Sequence, residues 1–171
     1  MKRKLDIGCG RVKDPDYFGI DIIEAPGVDL VWDMENFPWP IEDNSFDYVK
    51  VIHVVEHIND QVGFFREIHR VAAKDAVIHL ETPHFSSSNS WADPTHVRHF
   101  SLFFTDPMCG DGYLADATGK FELIKRRVNF GSLLGSMRAR LVTALFGAER
   151  WERSAFKMPA RNIYIDIKVI K

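Results

Sequence analysis

Apolar residues fall in short runs separated by polar, Pro- and Gly-rich stretches, and the period of each run predicts an element. Residues 3–7 are nearly continuous in apolar character apart from Asp6, as suits a parallel strand buried on both faces. Residues 17–22 and 28–33 predict a second and a third strand, with Asp21 and Asp33 near their ends. The links are short: residues 11–16 are polar and broken by Pro15, and Glu24-Ala25-Pro26-Gly27 is a turn. Parallel crossovers usually take a dozen residues or more and carry a helix, so reduced helices are expected after strands one and two. One flank of the sheet is then thinly covered. Either the C-terminal part or a second copy of the chain, as a homodimer, must cover it.

Residues 46–52 predict a fourth strand. Asn59 or Asp60 caps a helix over about 60–73, which carries Phe64, Phe65, Ile68, Val71 and Ala72 on its apolar side. Lys74-Asp75 turns into a fifth strand, Ala76 to Glu81. Residues 84–101 read as a long loop without regular structure, a length that is usually functional in a compact domain. A short helix is expected near 102–117 and a sixth strand at 121–129. An amphipathic helix is expected at 132–147, with apolar residues at 134, 137, 141 and 145 and with Arg138 and Arg140 off that face. Its apolar stripe is expected to pack on the thin sheet; a lid, a dimer surface and a docking site for a larger substrate are the alternatives. A last strand alternates over 163–169.

Composition adds bounds. The 171 residues, 46% apolar and 27% charged, suit one soluble domain over 1–171, with an insertion at about 131–160. No run approaches the roughly 18 apolar residues of a membrane span. The basic start Met1-Lys2-Arg3-Lys4 leads straight into a strand and does not read as a signal peptide. Cys9 and Cys109 are the only cysteines, so a reducing, cytoplasmic location is the expectation. The net charge of −2 divides into −7 over residues 1–81 and +5 over residues 82–171. A basic C-terminal part suits an anionic acceptor and keeps nucleic acid open as a partner.

The chemistry starts at Leu5-Asp6-Ile7-Gly8-Cys9-Gly10. A strand stops, two glycines let the backbone turn close to a ligand, and an acid at the tip of the next strand, Asp21, can take ribose hydroxyls. The third glycine of a dinucleotide fingerprint is missing, because Arg11-Val12-Lys13 follow Gly10. That favours a ligand with a ribose and an adenine but no phosphate.

With LDIGCG, GIDI, DLVWDMENFPWPIEDNSFDYV, HVVEHI, FREIHRV and a strand ending in ETP in this order, the chain resembles the class I S-adenosylmethionine-dependent methyltransferases in their small form. The resemblance covers residues 4–83, and more loosely the tail. It implies a Rossmann-like α/β fold with a mostly parallel seven-stranded sheet whose last strand is antiparallel. It implies S-adenosylmethionine as cofactor. Asp6, Gly8, Cys9 and Gly10 would lie by its methionine part and ribose, Asp21 and Ile22 by the ribose, and Asp33 and Met34 by the adenine. His53 would stand near the methionine end. The chain departs from the family where Ala73-Lys74-Asp75 replaces the usual glycine pair before the fifth strand.

An acceptor would sit beyond the carboxyl ends of strands four and five. There Glu56 and His57 can serve as orienter and base, or brace the following helix. His96 or His99 can act as base, with His84 and Arg98 binding the acceptor, Arg98 through an anion; alternatively Asp93-Pro94-Thr95-His96 is a structured turn with Arg98 on an internal carboxylate. His84, Asp93, His96 and His99 are of metal-ligating type, but their spacing matches no common metal pattern, and no metal is expected. The function expected is methyl transfer to oxygen or nitrogen of a small or sugar-like acceptor. The alternatives are an RNA or protein methyltransferase and a cofactor-binding module without transfer activity.

Overall fold

The computed structural model describes residues 3–131 and 133–171, with the side chains of 133–136, 138 and 139 left out; the expectations for Met1, Lys2, and the Leu134 and Arg138 side chains fall outside the described residues. The strands are β1 (Lys4–Ile7), β2 (Phe18–Asp21), β3 (Leu30–Val31), β4 (Phe46–Ile52), β5 (Ala72–Pro83), β6 (Lys120–Asn129) and β7 (Asn162–Ile170). They form one seven-stranded sheet in the order β3-β2-β1-β4-β5-β7-β6. Strands β1 to β5 are parallel, and β7 runs antiparallel to both β5 and β6. The expected architecture is the observed one.

The helices are α1 (Gln61–Val71), α2 (Ser88–Ala92), α3 (Ala115–Thr118), α4 (Leu133–Phe146) and α5 (Ala148–Glu152). Asp60 caps α1, its carboxylate accepting the Gly63 N–H at 2.8 Å. Phe64, Phe65, Ile68 and Val71 on α1 are buried in the main core with Leu5, Ile7, Val49, Val51, Ile78 and Leu80 of the sheet. Each such side chain contributes about 1.5–3 kcal/mol by leaving water. Among the described residues no helix lies between β1 and β4, as the short links require.

Several boundaries differ from the expectations. The third strand shrinks to Leu30–Val31 because Asp29 takes over part of the ladder. Its carboxylate accepts the Gly19 N–H at 2.7 Å and pairs with the Lys13 ammonium, which holds its pKa below the usual carboxylate range. The fifth strand is longer than expected and runs from the end of α1 through Lys74-Asp75, with Asp75 at φ 62°. The helix expected near 102–117 is broken into a 3-10 turn, Asp106–Met108, and the short α3. Pro107 lacks an N–H and Gly110 and Gly112 lie between the two pieces, so a continuous helix there is disfavoured. The loop 84–101 holds α2, capped by Ser87.

Helix α4 does not turn its expected stripe onto the sheet. Met137, Leu141 and Leu145 on α4 are 65%, 59% and 65% exposed, so the stripe expected to pack on the sheet faces outward. The helix instead turns Val142 toward a second small core of Trp151, Ala155 and Ala160, joined by Phe85, Val128, Phe130 and Met158. Trp151 on α5, a helix the sequence pattern does not suggest, is fully buried there. Val12, Ile22, Ile23 and Val31 stay exposed on the β1–β3 side.

Candidate active site

Parallel strands end together at one edge of the sheet, and the functional side chains follow from where each strand stops. At the end of β1 the chain turns through Gly8 at φ 68° and Gly10 at φ 63°. The two glycines answer different needs. A Cβ on Gly8 would lie 2.2 Å from Val54 Cγ2, so the turn is packed directly against the segment that leaves β4. A Cβ on Gly10 would meet nothing within 4 Å, so this glycine faces open space. The Gly8 and Cys9 N–H groups both reach the Ile20 carbonyl, and Asp21 Oδ2 accepts the Gly10 N–H at 2.7 Å. Asp21 Oδ1 accepts the Ile23 N–H at 3.1 Å. The tip of β2 thus holds the turn in place, and each Asp21 oxygen keeps a lone pair for a further donor.

Asp33 follows β3 and accepts the Glu35 N–H through Oδ1 at 2.9 Å. Met34 is buried in the core, its carbonyl accepting from the Trp39 indole at 3.0 Å. Ile22 is exposed beside Asp21. Asp6 is engaged elsewhere: it is buried in the sheet, opposite Lys50 on β4, and its Oδ2 accepts from the Lys50 ammonium at 2.7 Å. Burial raises its pKa against the pull of that ammonium. The Cys9 thiol is buried as well. Its pKa is pushed up by that burial and by the nearby Asp21 and Asp6 carboxylates, so it is a packing group and a poor nucleophile.

Beyond β4 the backbone bends sharply at His53, which takes φ 54°. A non-glycine residue held in this region costs about 1 kcal/mol or more and needs fixing by its surroundings. The fixing comes from Glu56, whose Oε1 lies 3.0 Å from His53 Nδ1 and whose Oε2 accepts from Thr82 Oγ1 at 2.9 Å. The hydrogen bond that His53 makes to the Glu56 carboxylate outweighs burial and raises the His53 pKa. Asn162 on β7 lies 3.5 Å from the other ring nitrogen and donates to Glu81 at 2.6 Å.

Glu56 therefore orients His53, where the sequence suggested an orienter for His57. The two residues are adjacent on a 3-10 turn, Val55–His57. Glu56 points inward and is 1% exposed, while His57 faces the loop. His57 Nδ1 lies 3.2 Å from the Thr95 carbonyl and 3.0 Å from its hydroxyl. His96 Nδ1 lies 3.1 Å from the Ser90 carbonyl. The two rings meet edge to face with centroids 4.8 Å apart. Together with His53, Pro83, Asn89 and Asp93 they line a cleft of about 540 Å³.

The other expected acceptor residues are not brought into this cleft. His84 is fully buried, with Nδ1 on Ser86 at 2.7 Å and Nε2 on Glu152 at 3.0 Å, and it braces α5 against β5. His99 stacks on Trp91 at 3.6 Å and bonds Ser90 at 2.9 Å. Arg98 lies over the carbonyls of Val97 and Asn59. The four residues of metal-ligating type, His84, Asp93, His96 and His99, do not converge. Asn162 joins the site without a sequence signal, because only the antiparallel pairing of β7 with β5 carries it to Pro83.

The residues fit the cofactor that the resemblance implies. Gly10 leaves space where a side chain would block a ligand, and Asp21 and Asp33 offer acceptors suited to hydroxyls and an amine.

Residues 5–80 match the methyltransferase domain family. Ajmaline N-methyltransferase of Rauvolfia serpentina is 35% identical over 86 residues, which span 46% of this chain but 29% of that protein. An S-adenosylmethionine-dependent methyltransferase structure from Archaeoglobus fulgidus superposes with a TM-score of 0.64 at 18% identity, covering 98% of this chain and 86% of that one. The YcgJ protein from Bacillus subtilis superposes with a TM-score of 0.62 at 19% identity, covering 99% and 92%. Motif order over the first half and sheet order over the whole agree: residues 5–80 match the methyltransferase domain family, and the fold of the whole chain is similar to that of S-adenosylmethionine-dependent methyltransferases.

Proposed function

We propose that the protein transfers a methyl group from S-adenosylmethionine to oxygen or nitrogen of a small or sugar-like acceptor. One observation carries the reading: the glycine turn and the histidine-lined cleft stand side by side, joined where Gly8 packs on Val54. When bound, the cofactor supplies an electrophilic methyl group on a sulfonium. The chain's own work is to hold and orient. Asp21 would take the ribose hydroxyls, Asp33 the adenine amine, and the space beside Gly10 the body of the cofactor. His53, fixed by Glu56, would border the methionine end. His57 and His96, on the cleft wall, would meet the acceptor, and alignment of acceptor and methyl group supplies much of the rate.

The plant relative bears the name of an N-methyltransferase, which supports a nitrogen acceptor. The small cleft supports a small molecule over a polymer. Arg126 pairs with Asp106 and Arg127 stacks on Tyr164, so part of the basic C-terminal surface on which an RNA reading rests is already engaged. The same reading takes the chain as a homodimer closed over the exposed Val12, Ile22, Ile23 and Val31. A monomeric mass in sedimentation at micromolar concentration removes that part. Among the described residues no helix is long and apolar enough to cross a membrane.

The deciding experiment is calorimetric titration with S-adenosylmethionine, followed by an acceptor screen with radiolabelled methyl. Saturable binding and label transfer are expected. Binding without transfer to any acceptor would favour a non-catalytic module, and no binding would overturn the proposal.

A further inference from the structure

We infer that the cleft is a binding site for one divalent transition-metal ion, held by Glu56, His57 and His96. One donor atom from each of these three side chains lies within 4.8 Å of the other two. The residues come from a 3-10 turn after β4 and from the loop after α2, 39 positions apart in sequence between His57 and His96, so only the fold brings them together.

Three features distinguish the cluster from a chance meeting of polar groups. The first is the orientation of the imidazoles. His57 Nδ1 and His96 Nδ1 each face a backbone carbonyl, Thr95 O at 3.2 Å and Ser90 O at 3.1 Å. A carbonyl only accepts, so Nδ1 carries the hydrogen and the neutral ring presents its lone pair on Nε2. This outer hydrogen bond is the one that fixes ligating histidines in metal sites. The Thr95 hydroxyl supports the same tautomer. It donates to Asp93 Oδ1 at 2.6 Å and so has its oxygen free to accept from His57 Nδ1 at 3.0 Å.

The second feature is the carboxylate. Glu56 is buried and held by His53 and Thr82, one partner on each oxygen, which leaves further lone pairs in a fixed direction. The third is a nearby oxygen in reserve. Asp93 Oδ2 lies 3.9 Å from His96 Nε2, while Oδ1 is taken by the Thr95 N–H and hydroxyl.

Two imidazoles and a carboxylate select zinc, manganese, cobalt or iron over magnesium and calcium. Metal–nitrogen bonds of about 2.0–2.1 Å put neighbouring donors roughly 3–3.5 Å apart, so the cluster must close by about 1–2 Å on binding. Side-chain rotation of His57 and His96, both on the cleft wall, can supply that closure. A cation there would keep open positions toward the cleft. On the methyltransferase reading, on which only this last point rests, those positions meet the acceptor's polar atoms.

The test uses the whole chain, stripped of metal by chelation and titrated with Co2+ alone. The expected result is one Co2+ per chain with visible d–d absorption and no thiolate charge-transfer band, since Cys9 and Cys109 lie outside the cluster. His57→Ala and His96→Ala should each weaken binding at least about tenfold, and His99→Ala should leave it unchanged. Proton NMR of the wild-type Co2+ form should show two hyperfine-shifted imidazole N–H signals, from Nδ1 of His57 and His96. That measurement decides the matter even if a variant fails to fold. Absence of saturable uptake by the folded chain, or uptake that both alanine variants retain, would overturn the inference. Titration of the same samples with S-adenosylmethionine is a separate readout. Its failure strikes the methyltransferase reading and leaves the metal result standing, and the converse holds as well.

Discussion

His84 and Glu152, 68 positions apart, meet at 3.0 Å between Nε2 and Oε1 and join the start of the long loop to α5. The same carboxylate accepts from Ser101 Oγ at 2.9 Å and from the Leu102 N–H at 2.6 Å. Three donors from two segments thus depend on one acid. Glu152→Ala should leave them unpaired and destabilise the fold by roughly 3 kcal/mol, as loss of one partner of a buried pair does. Urea unfolding followed by tryptophan fluorescence measures this, with Trp151 as a local reporter. A loss below about 1 kcal/mol would mean that the carboxylate is replaceable by water.

The same contacts predict a pH dependence. Burial works to raise the Glu152 pKa, but the hydrogen bonds from His84, Leu102 and Ser101 prevail and hold it below the ordinary value of 4.5. Glu67 is lowered likewise, against its burial, by Arg70 and the Trp39 N–H. For an acid whose folded pKa is depressed, the unfolded chain binds the proton more readily. Its stabilisation is present above the unfolded value and is lost as pH falls through the folded one. Urea midpoints should therefore fall as pH drops below about 5, and Glu152→Gln should flatten part of that fall. A midpoint that does not fall below pH 5, or a fall that Glu152→Gln leaves unchanged, would contradict the assignment.

Gly8 and Gly10 should respond differently to alanine. Both lie at positive φ, which costs an L side chain about 1–2 kcal/mol. At Gly8 the new methyl also collides with Val54, and overpacking adds about 1–3 kcal/mol. Gly8→Ala should lose clearly more thermal stability than Gly10→Ala. Gly10→Ala should stay folded and lose cofactor affinity, because its methyl enters the open side of the turn. Equal melting temperatures for the two variants would refute the contrast.

Asp21→Ala should weaken S-adenosylmethionine binding by about 1–3 kcal/mol, the scale of hydrogen bonds to a charged group. NAD should not bind the wild type. Unchanged affinity for S-adenosylmethionine in calorimetry would remove the ribose role of Asp21.

Leu141→Lys and Leu145→Lys on α4 should change stability by less than about 0.5 kcal/mol, since both side chains already face solvent. A core-like loss in chemical denaturation would show that the stripe is covered in solution.

The sheet was legible because each of its strands carries its own pattern. The Phe46–Ile52 strand is found at the predicted residues, and the Asp60 cap marks the start of α1. The glycine turn was legible for a related reason, since the demand for positive φ is local and glycine meets it. What could not be read is contact between distant segments. Asp29 and Asp6 look alike in sequence, yet one shortens β3 by bonding Gly19 and the other pairs across the sheet with Lys50. The face a helix buries also depends on what lies opposite. The stripe at 137, 141 and 145 has the right spacing but no surface against it, while Val142 finds Trp151. His57 and His96 read as separate candidates because nothing in their spacing shows that two loops meet.

The contact between Gly8 and Val54 has a thermodynamic consequence. Val54 stands two residues before Glu56, so the cofactor turn and the acceptor cleft share a wall with no slack between them. A ligand that shifts the turn shifts the energy of the cleft. Linkage makes the effect mutual: whatever factor the cofactor applies to acceptor affinity, the acceptor must apply to cofactor affinity. Enlarging or trimming residue 54 should change that factor while leaving every polar group of both half-sites in place.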